Sequence, residues 1–237
     1  MVSITLTPDE TVPYIKDLLK KTIEKGKSKK TVYIGLSGGS MPKTVSESLK
    51  QLLEESLSIE NVKFFMVDER VVPLSDKDSN CGEYLNLLPK HLEGHFIPIT
   101  NFEDEIIAAE EFEKILKEEK NLEISQTGFP IFDLLLLGLG PDGHTCSLFP
   151  NHQLVKEKVK WIAPIRDSPK PPPKRVTITV PVINNAINVV FLATGESKKN
   201  AIKEILVNHN ADYPPSLIKL ENGMDITWII DHDPFTC

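Results

Sequence analysis

The 237 residues include 40% hydrophobic side chains, enough for one sizeable core, so a single domain spanning 1–237 is expected. A net charge of −7, from 34 acidic against 27 basic residues, argues against a nucleic-acid or anionic-membrane binder but leaves room for a small anionic ligand in a locally basic pocket. Three widely spaced cysteines (Cys81, Cys146, Cys237), a start without a basic region and apolar stretch, and no apolar run of the roughly 20 residues a membrane span needs together predict a cytoplasmic protein without a disulfide framework.

In chain order, residues 8–25 form an amphipathic pattern opened by Pro8-Asp9-Glu10, which predicts a helix with acids in its first turn. "TVYIGL" (31–36) is a short β-branched run and the first predicted strand. A helical pattern follows at 42–56, with Pro42 suited to the first turn. "VKFFMV" (62–67) is the next strand and ends at Asp68-Glu69-Arg70. Helices are predicted over 80–92 and 102–119. "IFDLLLLGLG" (131–140) is a continuous apolar run of the kind found in a strand buried on both faces. Further strands are expected at 159–165, 175–180, 188–194 and 225–231, with a helix at 196–206. Strands alternating with helices predict an α/β fold: a three-layer, Rossmann-like, mainly parallel sheet flanked by helices. Ligands of such folds bind at the carboxyl ends of the strands.

Three charged or glycine-rich stretches fall at those ends. In "GLSGGSMP", Gly35 to Gly39 satisfy G-x-S-x-G, so Ser37 reads either as the serine of a nucleophile elbow or as part of a cradle that binds an anion through backbone N–H groups. An elbow usually follows several strands, whereas this one follows the first predicted strand. "VDERVV" carries Asp68, Glu69 and Arg70 out of a strand together, and Arg70 has the forked geometry that clamps a phosphate. "GLGPDGHTCSLFP" presents Asp142 and His144 on a glycine turn, with Thr145 to Ser147 suited to start a short helix. A histidine of ordinary pKa suits general-base work near neutrality, and Asp142 is placed to orient it. "RDSPKPPPKR" surrounds stiff prolines with Arg166, Lys170, Lys174 and Arg175, either as held cations or as an exposed connector. "TGESKK" adds Lys198 and Lys199 at a glycine turn. His91 and His95 have i, i+4 spacing but no third ligand, and "DHDP" (231–234) reads as a tail. No P-loop, C-x-x-C pair or complete G-x-G-x-x-G is present.

Taken together and in order, "GLSGGSMP", "VDERVVP" with a following "SN", "LLGLGPDGHTCSLFP", "SPKPPPKRVTIT" and "ATGESK" resemble the 6-phosphogluconolactonase family over nearly the whole chain. Met41, where the family often has threonine, and Cys146, in place of alanine, depart from its pattern. The resemblance implies hydrolysis of 6-phospho-D-glucono-1,5-lactone to 6-phosphogluconate, the second step of the oxidative pentose phosphate pathway, without a metal or organic cofactor. It implies that His144 activates water, with Asp142 and Asp68 orienting the histidine or polarising the water. Arg70 and Lys170 would hold the 6-phosphate, with Lys198 as a helper. Gly38, Gly39 and Ser40 would then surround the lactone as backbone and hydroxyl donors. The partner is a small sugar-phosphate lactone, and a monomer is the favoured state. The related glucosamine-6-phosphate deaminase/isomerase pattern has D-E-Y where this chain has Asp68-Glu69-Arg70, and a further acid after D-G-H where this chain has "TCSLFP". A non-catalytic sugar-phosphate sensor is the other alternative.

Overall fold

The computed structural model describes residues 2–233. Their elements run β1 (Val2–Thr5), α1 (Pro8–Lys25), β2 (Val32–Leu36), α2 (Met41–Glu54), β3 (Val62–Met66), β4 (Asp68–Arg70), α3 (Asn80–Leu87), β5 (Phe96–Ile97), α4 (Glu105–Glu118), β6 (Glu123–Ile124), β7 (Pro130–Ile131), β8 (Leu134–Gly138), β9 (Ile162–Ile165), β10 (Arg175–Ile178), α5 (Val180–Asn184), β11 (Val189–Ala193), α6 (Lys199–Leu206) and β12 (Thr227–Ile230). Seven strands pair in the order β1-β12-β11-β8-β2-β3-β5, and every pairing in that sheet is parallel.

Successive strand residues point to opposite faces, and both faces of the central strands are covered, which is why they read as unbroken apolar runs. Ile34, Leu36, Leu134, Leu136 and Leu192 join a core that includes Ile15 and Leu19 of α1 and Leu49 and Leu52 of α2. Tyr33, Leu135, Leu137 and Phe191 face the opposite core, with Phe112 of α4 and Ile202 of α6. The result is the expected three-layer α/β architecture. A small antiparallel sheet, β4-β10-β9, belongs to the second core and sets Arg175 opposite Arg70 and Thr177 opposite Asp68.

Several local expectations are corrected. Residues 31–36 are not the first strand: β1 precedes them, pairing along one side with β12, and its four mostly exposed residues are too few to show a period. The helix expected over 80–92 ends at Leu87, and residues 90–95 form a 3-10 turn instead; Pro89 between them has no N–H to continue an α-helical ladder. Asp104 caps α4 by accepting from the N–H groups of Ile106 and Ile107, so the helix begins at Glu105 rather than 102. No helix starts at Thr145. There the chain closes a tight turn, with mutual backbone hydrogen bonds between Thr145 and Leu148 and Cys146 at φ +53°. Cys237 and Pro234 lie outside the described residues.

Candidate active site

A cleft of about 250 Å³ opens where β2, β3 and β4, β8 and β11 end. Its glycine wall comes from the β2–α2 turn. Gly39 there has φ +72°, a left-handed conformation that glycine adopts without strain, and Gly38 packs so closely on Asn80 that a Cβ would lie 1.9 Å from the Asn80 Oδ1. No hydrogen bond among the described residues takes up the N–H groups of Gly38, Gly39 or Ser40, which precede the first turn of α2. A cradle of donors at a helix N-terminus favours a negatively charged oxygen.

Ser37 plays a different part. Its Oγ accepts the Gly138 N–H at 3.1 Å and its carbonyl accepts from the Tyr84 hydroxyl at 2.9 Å, so the side chain ties β2 to β8. Ser37→Ala is expected to retain turnover while losing about 1 kcal/mol of stability. Kinetics and a thermal melt check this, and a folded but inactive variant would restore the serine-nucleophile reading.

The histidine wall follows β8. Thr145 Oγ1 donates to the Gly138 carbonyl, and Gly140 N–H donates to the His144 carbonyl at 2.8 Å, so the turn closes on itself. His144 Nδ1 lies 2.6 Å from Asp142 Oδ1, and its ring stacks on Phe149 with centroids 4.6 Å apart. Gly140 is required by contact: a Cβ there would sit 2.1 Å from the His144 ring. Burial holds the His144 pKa below its ordinary 6.5, against the opposing pull of Asp142; the ammonium of Lys170 adds to the lowering. The imidazole is therefore neutral at neutral pH. With Nδ1–H donated to the carboxylate, Nε2 keeps its lone pair.

The cationic wall differs from the sequence expectation. Lys170 does not line the cleft with Arg70. Its Nζ is bound to Asp142 Oδ1 at 2.8 Å and lies 3.4 Å from His144 Nδ1, behind the histidine. Asp142 stands outside the lining too and reaches the cleft through His144. Arg166 and Lys174 are drawn to buried Glu105, at 2.7 and 3.7 Å. Arg70, Arg175 and Lys198 are the cations in the lining. Arg70 donates from Nη1 to the Asp78 carbonyl at 2.9 Å, while its buried Nε has no partner among the described residues. Arg175 wraps the proline segment around itself, donating to the carbonyls of Pro172, Lys170 and Pro171, and burial holds its pKa below the usual guanidinium value, with Arg70 adding to the shift. Lys198 is held low in pKa by burial, with Asp231 pulling the other way.

Asp68 lies on the same strand face as Arg70. Its Oδ2 accepts from Ser147 Oγ at 2.8 Å, and Arg175 Nη1 reaches the same hydroxyl at 3.4 Å. Asn80 is a cleft residue that sequence reasoning did not single out, and Arg175 is one of the candidate cations it left unranked. For Arg175 the available signal was alternation: in "RVTIT" it shares a strand face with Thr177. His95 serves β3 through a contact of Nδ1 with the Val62 carbonyl, and no group of three or more His, Cys, Asp or Glu among the described residues is arranged to hold a metal. No helix of the described residues is long and apolar enough to cross a membrane.

Comparison with known proteins agrees with this architecture. Residues 7–228 match the family model described as glucosamine-6-phosphate isomerases/6-phosphogluconolactonase. The chain is 38% identical over 211 residues to a probable 6-phosphogluconolactonase of Schizosaccharomyces pombe, covering 84% of this chain and 80% of that protein. It is 39% identical over 203 residues to the human 6-phosphogluconolactonase, covering 84% and 77%. The solved structure of the Trypanosoma cruzi 6-phosphogluconolactonase superposes with a TM-score of 0.83 at 28% identity, covering all of this chain and 97% of the other.

Proposed function

The chain belongs to the glucosamine-6-phosphate isomerase/6-phosphogluconolactonase family, and we propose that it hydrolyses 6-phospho-D-glucono-1,5-lactone to 6-phosphogluconate with water activated by His144. The observation that carries this reading is the half-buried, neutral His144 held at 2.6 Å by Asp142 on the wall of a cleft lined by three cations.

The substrate is an activated ester and needs no covalent nucleophile. His144 Nε2 takes a proton from water as the water oxygen bonds to C1. The same proton passes to the ring oxygen as the C1–O bond breaks, leaving the carboxylic acid, which then ionises. The carbonyl oxygen gains negative charge in between, and the open N–H groups of Gly38, Gly39 and Ser40 are the donors suited to it. Asp142 fixes the tautomer, and Lys170 fixes Asp142. Asp68, itself held by Ser147, is placed to bind a substrate hydroxyl or the water.

The phosphate falls to Arg70, with Arg175 and Lys198. Two arginines directly opposite on neighbouring strands repel each other. A dianionic phosphate between them removes that repulsion and supplies the acceptor that Arg70 Nε lacks. Lys170 is thereby moved from the phosphate clamp to the catalytic dyad.

The test is proton release from freshly generated lactone, followed across pH. Because the folded His144 pKa lies below 6.5, the acid limb of kcat/KM should fall below that pH. Asp142 stabilises the imidazolium, so Asp142→Asn should move the limb to lower pH as well as slow turnover. Lys170 opposes it, so Lys170→Met should move the limb upward. The same depressed pKa contributes stability that is present above 6.5 and lost as pH falls through the folded value. A limb that stays put in both variants would remove the Lys170–Asp142–His144 arrangement from the mechanism. Ammonia release from glucosamine 6-phosphate would support the deaminase alternative. Tight 6-phosphogluconate binding without lactone turnover would support a sensor.

A further inference from the structure

We propose that Glu69 is a positioning residue for substrate binding: its carboxylate fastens the start of α3 to β4 and so sets Arg70 and Asn80 at the cleft wall. This rests on the reading of Arg70 as a phosphate ligand. Glu69 sits between Asp68 and Arg70 in β4, and strand alternation turns it to the opposite face, where it is 1% exposed. Both of its oxygens are taken up. Oε1 accepts from the N–H groups of Arg70 and Asn80, each at 2.8 Å, and Oε2 accepts from the Cys81 N–H at 2.7 Å and from Ser79 Oγ at 3.2 Å.

Asn80 and Cys81 supply first-turn N–H groups of α3, which have no partner inside their own helix, and a carboxylate there meets the positive end of the helix. Ser79 Oγ donates to Glu69 and accepts from the Gly82 N–H at 3.0 Å, extending the clamp by one residue. From this anchor the ordering passes into the cleft by two routes. One is direct, through the backbone of Arg70. The other runs through Asn80, whose Nδ2 donates to the Asp68 carbonyl at 2.8 Å and whose Oδ1 packs against Gly38. Burial pushes the Glu69 carboxyl up to about 7, against the pull of its three backbone N–H donors. Four donors and no acceptor face the group, an arrangement that suits its ionised form, and an amide cannot replace it: the NH2 of glutamine would face two of those donors.

The experiment is steady-state kinetics of Glu69→Gln on 6-phosphogluconolactone and on unphosphorylated D-glucono-1,5-lactone, beside a thermal melt. KM for the phosphorylated lactone should rise roughly tenfold with a much smaller change in kcat, and the preference over the unphosphorylated lactone should shrink. A purely structural residue would lower Tm and leave both constants unchanged while the fold is intact, and that result would overturn the inference, as would a kcat loss as large as the KM rise. Ser79→Ala removes one donor and should shift KM in the same direction by less; if Glu69→Gln does not fold, an unchanged KM in Ser79→Ala overturns the inference instead. Arg70→Ala run in parallel separates the two readings. If it keeps the phosphate preference, the Arg70 assignment fails. If it loses the preference while Glu69→Gln keeps it, only the role of Glu69 fails.

Discussion

His144→Ala is expected to lower kcat by roughly 10²- to 10⁴-fold, the range for loss of a positioned general base, with little change in KM. The selectivity follows from the geometry. His144 makes one side-chain hydrogen bond to a carboxylate, to Asp142, and one ring contact, to Phe149, while the cationic wall is built from β4, β10 and the turn before α6. Truncating the ring removes the proposed base and leaves Arg70, Arg175 and Lys198 in place. The residual rate should exceed spontaneous hydrolysis, because the glycine-loop N–H groups proposed to take the carbonyl oxygen stay in place. Proton release under weak buffering, with the uncatalysed rate subtracted, is the measurement. Near-wild-type turnover would take His144 out of the mechanism.

Arg70→Ala is expected to cut kcat/KM for the phosphorylated lactone by roughly 10- to 100-fold, because a hydrogen bond to a charged group is worth about 1.5–3 kcal/mol and each 1.4 kcal/mol is a factor of ten. Turnover of unphosphorylated lactone should barely move, since the phosphate does not react and its binding energy serves to position C1. The variant also removes the repulsion that Arg175 feels from its cross-strand neighbour, so its unliganded fold should not suffer beyond the lost bond to the Asp78 carbonyl. The ratio of the two specificity constants is the decisive quantity. If it equals that of the wild type, the phosphate lies elsewhere, and Lys198, the cleft cation whose side chain makes no hydrogen bond among the described residues, becomes the first residue to test.

The contrast between Lys170 and Arg175 shows where sequence reading reached and where it stopped. Both residues stand in one basic, proline-rich stretch, and nothing local ranks them. Arg175 begins β10, where pairing with β4 turns it toward the cleft, whereas Lys170 lies in the preceding loop and is drawn to Asp142, 28 residues away in the chain. Ser37 is a similar case. Its motif fits a nucleophile elbow, but the Gly138 N–H that occupies its hydroxyl comes from a strand 101 residues distant. Glu69 looked like a third member of a charged cluster until the pleat turned it away from its neighbours.

By itself the sequence determined the α/β class, the buried central strands and the strand ends at which the cleft opens, because those follow from hydrophobic period and from glycine and capping chemistry within a few residues. It placed Asp142 and His144 together for the same reason: they are two residues apart on one turn. Only the tertiary structure decided which cations face the cleft, that Lys170 binds Asp142, and that Glu69 accepts from the first N–H groups of α3. Those assignments depend on strand pairings and side-chain contacts between segments far apart in the chain, and no local pattern encodes them.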